Sequence, residues 1–215
     1  MKFNIDKYYW DDDIKMYERS SVDILPGVTV LVGCNGIGKS TLICQIKSQC
    51  KQSNIPSLEY DMLEEGGNNM MDSLFHRDMM EELAVAVLSS EGEKIKQSIY
   101  HFASKYTKFM HSIEKDQQHL FFFFDAIDSG YSVDNVLEVK RNVFDAIIET
   151  CDNANKEAYI IVSANEYELC RNENCLILPE LKYREIKSYD TYRKIILKSR
   201  KKKDLIYGYR EFDYE

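Results

Sequence analysis

Three glycines, a lysine and two hydroxyl side chains lie together in one short segment, which reads Gly33-Cys34-Asn35-Gly36-Ile37-Gly38-Lys39-Ser40-Thr41. The segment fits the pattern G-x-x-x-x-G-K-[ST], in which glycines let the backbone curl until its amides point at phosphate oxygens. In that pattern Lys39 reaches the β- and γ-phosphates, and the Ser40 hydroxyl binds Mg²⁺. Because an apolar segment precedes it and an amphipathic one follows, we favour a phosphate-binding loop (P-loop) over a chance glycine-rich turn.

The loop therefore predicts that the chain binds ATP together with Mg²⁺. The predicted nucleotide-binding residues are Gly33, Asn35, Gly36, Gly38, Lys39, Ser40 and Thr41. Lys39 is also a predicted catalytic residue, because its charge would stabilise the transferring phosphoryl group. The Cys34 side chain is expected to point outward from the loop, with no redox role.

A carboxylate follows an apolar run at Leu-Phe-Phe-Phe-Phe-Asp125, which is the second chemical feature of the chain. An apolar strand that ends in Asp is the pattern of a magnesium-holding carboxylate (Walker B) in P-loop proteins. We predict that Asp125 lies at the carboxyl end of its strand, beside the P-loop, and holds Mg²⁺ directly or through water. The alternative is an Asp that caps a loop.

Alternating apolar runs and amphipathic segments must position these residues. Strands are predicted at 28–32, 57–60, 119–125 and 158–163, with a small edge strand at 176–178, and helices at 39–50, 74–88, 94–115, 132–153 and 189–203. This alternation predicts an α/β fold, a largely parallel sheet flanked by helices, in a single nucleotide-binding domain that spans residues 1–215.

Composition narrows the class of protein. The chain has 215 residues and a net charge of −8, which argues against a surface that coats nucleic acid broadly. Its six cysteines contain no C-x-x-C pair, and we expect reduced thiols. The chain begins without an apolar signal core, and its apolar runs are far shorter than the roughly 20 residues that span a bilayer. These features predict a cytoplasmic protein with no membrane association.

The order of the motifs resembles the ATP-binding-cassette class of ATPases, and most closely its stand-alone RecF/SMC-like branch of AAA family ATPases without a coiled-coil insertion. The likeness rests on the P-loop, on Ser89-Ser90-Glu91-Gly92-Glu93 as a degenerate signature motif, on Phe121 to Asp125, and on Ile160 to Asn165 as the switch strand. It implies a homodimer, or a dimer of similar subunits, in which Ser90 and Gly92 of one subunit contact the γ-phosphate held by the other. Ser90 and Glu93 as a plain helix-capping box is the alternative.

Two positions depart from that family pattern. Ala126 stands where the general-base Glu is usual, and Asn165 stands where a switch His is usual. Neither side chain accepts a proton at neutral pH, so we expect slow hydrolysis or a differently placed base. Asp128 is the nearest substitute carboxylate, with an Asx-turn or interface role as the alternative. Glu166 is a further candidate base.

Other features leave alternatives open. Asp61 or Glu64 would replace the usual Q-loop glutamine, and no aromatic residue near the amino terminus is assigned to adenine. The basic cluster at Lys198, Arg200, Lys201, Lys202 and Lys203 reads first as a solvated helix end, and otherwise as a contact for nucleic acid phosphate.

Three functions fit these features. The first is a slow stand-alone ATPase that works through ATP-dependent dimerisation in a DNA-related or defence-related process. The second is a nucleotide-dependent binding switch with little hydrolysis, because Ala126 replaces the base. The third is a small P-loop kinase, which is disfavoured because Arg77 and Arg171 are isolated and no arginine-bearing lid is evident.

Overall fold

The computed structural model describes residues 1–8, 15–61, 91–127, 132–163 and 165–207. Its strands are β1 (Lys2–Asn4), β2 (Ser21–Asp23), β3 (Gly27–Val32), β4 (Ser57–Asp61), β5 (His119–Asp125), β6 (Glu157–Ser163), β7 (Asn174–Ile177) and β8 (Lys182–Arg184). Its helices are α1 (Lys39–Gln52), α2 (Glu91–Ser112), α3 (Val133–Val139), which continues through a π-helical turn (Lys140–Phe144) into α4 (Asp145–Asn153), α5 (Tyr167–Cys170) and α6 (Tyr189–Tyr207).

Within these residues, six strands form one sheet in the order β4-β5-β6-β3-β7-β8. The first five are mutually parallel, and β8 pairs antiparallel with β7. Parallel strands end at the same edge of a sheet, so the residues that follow β3, β5 and β6 are brought to one edge. The predicted α/β class with a largely parallel sheet is confirmed, and β1 and β2 form a separate antiparallel pair.

Both faces of the sheet are buried, which explains why the interior of β5, from Leu120 to Phe124, is continuously apolar rather than alternating. Phe122 and Phe124 face one core together with the α3–α4 segment, whereas Phe121 and Phe123 face the other core together with α1. All four phenylalanine side chains are at most 1% exposed. The strand that carries Asp125 is therefore held rigidly from both sides.

The short strand near residue 176 is not an edge strand, so that prediction was wrong. It lies between β3 and β8, and Leu176 pairs with Leu31 on one side and with Tyr183 on the other. The three-residue strand β8 has too few positions to show a periodic pattern, which is why the sequence did not reveal it.

The other predicted elements agree with the structure to within a few residues, where the structure describes them. The helix predicted at 74–88 lies outside the described residues. Within the part of the chain that is described, no helix combines the length and apolarity needed to span a bilayer.

Candidate functional site

The P-loop connects β3 to α1 and adopts backbone angles that favour glycine. Gly36 and Gly38 have φ of +75° and +101°. A Cβ atom at Gly38 would lie 2.6 Å from the Met16 sulfur and 2.9 Å from the Tyr17 hydroxyl. The same hydroxyl donates a hydrogen bond of 2.6 Å to the Gly38 carbonyl. Gly38 therefore needs both its unusual φ and the absence of a side chain.

Lys39 directs its ammonium group back across the P-loop. The residue is only 8% exposed. Its Nζ donates to the Gly33 carbonyl at 2.8 Å and to Asn165 Oδ1 at 3.2 Å. An ammonium that is held against the loop by the Gly33 and Asn165 oxygens and lines the cleft presents a positive charge there, which is the property that a phosphate site requires.

The amino terminus of α1 faces the same space. Gly38 occupies the N-cap position and offers no side-chain hydrogen bond to the first turn of this 14-residue helix. A helix start without a side-chain cap presents backbone amides and the positive end of the helix dipole to an anion. Ser40, in the first turn, is exposed at the same end of the helix.

Asp125 reaches this space although its strand is not adjacent to β3, because β6 lies between them. Ser163, at the end of β6, bridges the gap. Its hydroxyl, in a residue that is 2% exposed, donates to Asp125 Oδ1 and accepts a 2.7 Å hydrogen bond from the Ala126 amide. This pair of bonds fixes one carboxylate oxygen and the backbone that follows it.

The P-loop, the start of α1 and the ends of β5 and β6 enclose one cleft of about 390 Å³. Its lining residues are Met16, Asn35, Gly36, Gly38, Lys39, Ser40, Thr41, Asp125, Ala126, Ser163 and Asn165. The structure thus brings together most of the residues that the sequence predicts for ATP and Mg²⁺. Gly33, the one predicted nucleotide-binding residue of the P-loop that does not line the cleft, is buried and supplies the carbonyl that binds Lys39.

The donor set fits a nucleotide-bound magnesium ion better than a metal held by protein alone. The described residues contain no cluster of three or more His, Cys, Asp or Glu side chains that could hold a metal. Mg²⁺ is commonly bound by one or two protein oxygens, with phosphate and water oxygens completing its octahedron. Ser40 and Asp125 would supply the protein oxygens in this cleft.

The structure also places the two departures from the hydrolytic pattern. Ala126 lies in the cleft with φ of +52°, directly after Asp125, and offers no ionisable group. Asn165 lies in the cleft and binds Lys39 through its side-chain oxygen. Glu166 is exposed and is not part of the cleft lining. Asp61 pairs in register with Asp125 across β4 and β5, which places its backbone near the site.

Two of the predicted site residues, Ser90 and Asp128, lie outside the described residues, as does Glu64. Ser90 immediately precedes α2, and Gly92 lies in the first turn of that helix. Asp128 follows Ile127, which is buried next to the site-forming end of β5.

The expectation for Cys34 was wrong, because its side chain is buried in the core that also contains α1. No motif of the sequence predicted a role for Met16 and Tyr17, which contact the loop at Gly38, or for Ser163, which lines the cleft. For Ser163, a signal was present: it is a hydroxyl at the end of an otherwise apolar strand. All six cysteines are free thiols, as predicted.

The basic cluster on α6 is not simply a solvated helix end. Lys198 and Lys202 each donate to Glu180 Oε1 at 2.9 Å, and Arg184 donates to Glu180 Oε2 at 2.8 Å. Lys202 also binds Glu18 at 2.6 Å. The pKa of Glu180 is lowered to about 2, mainly by the hydrogen bond from Lys198 and to a smaller extent by the hydrogen bond from Lys202. Glu180, only 7% exposed, therefore anchors α6 beside the P-loop.

We expect Glu180→Gln to reduce the free energy of unfolding at pH 7 by about 2 kcal/mol, a value that allows for solvent screening of the partly exposed cations. Because the pKa of the folded state is depressed, the stabilisation is complete above the ordinary value of 4.5 and is lost as the pH falls towards 2. Urea denaturation at several pH values measures this. Glu185→Gln, in an exposed pair with Lys187, is the matched control. Equal losses in both variants at pH 7 would refute the anchoring role.

A parallel sheet with a glycine loop, a buried lysine and a carboxylate at one edge defines the P-loop nucleoside-triphosphatase class. Residues 29–176 match the family described as the ATPase family associated with various cellular activities (AAA). Because this match covers more than half of the chain, the chain belongs to that family. No curated protein gives a significant match to the chain.

The family match confirms the prediction of a P-loop ATPase that binds ATP. The AAA family is a different branch from the ATP-binding cassettes, so the match does not confirm the resemblance to the RecF/SMC-like branch. The matched region runs from within β3 to within β7, and it includes the P-loop and Asp125. It does not include α6.

Proposed function

We propose that this AAA-family protein is a magnesium-dependent ATPase with slow turnover, whose ATP-bound form is its working state. The observation that carries this proposal is that one cleft contains side chains suited to bind ATP and Mg²⁺, whereas the two positions where a proton acceptor is usual hold Ala126 and Asn165. Lys39, Ser40 and Asp125 can hold ATP and Mg²⁺ there, whereas Ala126 and Asn165 cannot take a proton from water.

The geometry around Lys39 supports this division of roles. Asn165 contacts the ammonium group directly, so its amide can follow the position of Lys39 when a γ-phosphate binds. An amide donates and accepts hydrogen bonds but does not act as a general base. Asn165 is therefore suited to orient Lys39 or water, and a proton acceptor must come from elsewhere.

We assign that proton acceptor to Asp128, three positions after Asp125 in the segment that follows β5. The strand that precedes it in the sequence ends at the cleft with Asp125. The assignment rests on the sequence position and on the absence of an ionisable group at Ala126. If Asp128 serves another purpose, the protein is a nucleotide-dependent binding switch, which is the second candidate function.

We further propose that two ATP-bound copies associate, with Ser90 and Gly92 of one copy contacting the γ-phosphate held by the other. The support is the resemblance of the Ser90 segment to a signature motif and the location of Gly92 in the first turn of α2. A helix start attracts phosphate through its amides. The DNA-related or defence-related role rests on the same resemblance.

Steady-state ATP hydrolysis with Mg²⁺ tests the proposal, combined with size-exclusion chromatography in ATP and in ADP. We expect turnover below about 1 s⁻¹, the low end for enzymes, and a dimer in ATP only. Asp128→Ala should abolish phosphate release without loss of ATP binding, whereas Asp116→Ala, in an exposed turn before β5, should change neither.

Each outcome separates the candidates. Phosphate release that depends on Asp128 supports the slow ATPase. ATP-dependent dimerisation without phosphate release supports the binding switch. Rapid transfer of phosphate to a small-molecule acceptor would show a kinase and refute both.

A further inference from the structure

The helix α6 contacts the P-loop from outside the cleft, through Ser199 and Lys203. The Cys34 amide donates a 2.8 Å hydrogen bond to the Ser199 hydroxyl, which in turn donates to the Ile196 carbonyl at 2.8 Å. Lys203 Nζ donates to the Asn35 carbonyl at 3.2 Å. A Cβ atom at Gly36 would lie 3.1 Å from the same ammonium, so Lys203 lies directly against the loop.

These contacts fix the orientation of two peptide groups of the loop. A trans peptide is planar, so its carbonyl and its amide point in opposite directions. In the peptide that joins Gly33 to Cys34, Lys39 binds the carbonyl and Ser199 binds the amide. In the peptide that joins Asn35 to Gly36, Lys203 binds the carbonyl, so the Gly36 amide is directed away from Lys203.

The direction of the Gly36 amide matters because phosphate binding by a P-loop depends on amides that point inward. Gly36 lines the cleft and has a φ of +75°, a region in which glycine can rotate its peptide plane at little cost. A charged donor on the Asn35 carbonyl restricts this rotation. It also polarises the peptide, which makes the amide a stronger donor to phosphate.

We propose that Lys203 and Ser199 are positioning residues of the nucleotide site. Lys203 holds the Asn35–Gly36 peptide so that its amide is available to phosphate, and Ser199 holds the Gly33–Cys34 peptide so that its carbonyl binds Lys39. The inference rests on the proposed binding of ATP by this cleft. Both residues lie beyond residue 176, where the match to the AAA family ends. The Glu180 ion pairs with Lys198 and Lys202 keep α6 in the register that this role needs.

The test is Lys203→Met, which keeps the aliphatic stem and removes the charge. We expect its affinity for a non-hydrolysable ATP analogue with Mg²⁺, measured by calorimetry, to fall about fivefold to tenfold. Lys201→Met, two positions earlier and exposed, is the matched control and should bind as the wild type does. Lys203→Arg should restore at least part of the affinity, because it restores a charged donor.

A spectroscopic measurement separates positioning from a general effect on folding. The ¹⁵N chemical shift of the Gly36 amide responds to hydrogen bonding at the carbonyl of its own peptide, so it should move in Lys203→Met and not in Lys201→Met, without nucleotide present. Ser199→Ala should shift the resonance of the Cys34 amide, because it removes the hydroxyl that accepts the hydrogen bond from that amide. Because Ser199 is 2% exposed and this variant can fail to fold, the decision rests on Lys203.

Three results would overturn the inference. If Lys203→Met binds the analogue as tightly as Lys201→Met does, Lys203 has no positioning role. A loss of affinity without a shift of the Gly36 amide also rejects it. If the wild type itself does not bind the analogue, the proposed function fails as well, and this outcome is distinct from the first two.

Discussion

Lys39→Met is expected to weaken ATP binding by about 30-fold to 150-fold, which corresponds to about 2–3 kcal/mol for a lost charge-assisted hydrogen bond to phosphate. Among the described residues that line the cleft, Lys39 is the only cation. It is 8% exposed, and methionine preserves most of its apolar stem, so the fold should tolerate the change. Calorimetric titration with ATP and Mg²⁺ measures the effect.

The control for Lys39 lies at the other end of the same helix. Lys51 is exposed in the last turn of α1, so Lys51→Met removes one positive charge without touching the cleft. It should leave the dissociation constant for ATP within about twofold of the wild type, as expected for a distant surface charge. Equal losses of affinity in the two variants would mean that net charge, and not the position of Lys39, governs binding.

Asp125→Asn is expected to reduce magnesium-dependent hydrolysis by about 100-fold, the size of effect seen when one electrostatic contact is removed from an active site. Asparagine keeps an oxygen that accepts the hydrogen bond from Ser163, so the local backbone should be preserved. It removes the negative charge that attracts Mg²⁺. The half-saturating Mg²⁺ concentration should therefore rise, and ATP binding in the presence of EDTA should be unchanged or stronger.

A magnesium titration of ATP hydrolysis tests this, with Asp116→Asn as a control at an exposed carboxylate close to the same strand. If the titration curves of Asp125→Asn and the wild type coincide, Asp125 does not hold the ion. In that case its bond with Ser163 would be its main purpose, and the stability of the variant would show that role.

The two effects are separable because the residues act on different parts of the same complex. In the proposed complex, Lys39 binds phosphate whether or not the metal is present, whereas Asp125 acts through the metal. A variant series measured with and without Mg²⁺ therefore distinguishes them without a structure of the complex.

The sequence predicted the P-loop and Asp125 because their signals are local. Each depends on residue types within a few positions of one another, and the φ of +101° at Gly38 is a local demand that glycine meets. The apolar runs of β3, β5 and β6 predicted the parallel sheet for a similar reason, since strands buried on both faces have no polar alternation.

The contacts that complete the site were not predictable in that way, because they join residues that are distant in the chain. Ser163 binds Asp125 across 38 positions, and Ser199 binds Cys34 across 165 positions. The burial of Cys34 and the position of β7 inside the sheet were not predictable for the same reason, since both depend on which distant segments of the chain pack against them. Likewise, a run of lysines on α6 looks solvated until Glu180 and the Asn35 carbonyl are placed beside it.

The sequence by itself determined that this protein carries a P-loop, an aspartate at the end of an apolar strand and no base at position 126, because these are properties of residue type and short spacing. Only the tertiary structure decided which groups hold the loop in place. The strand order inserts β6 between β3 and β5, and the packing of α6 brings Ser199 and Lys203 against the loop. Such contacts arise from the free energy of packing the whole chain, and no short segment of the sequence encodes them.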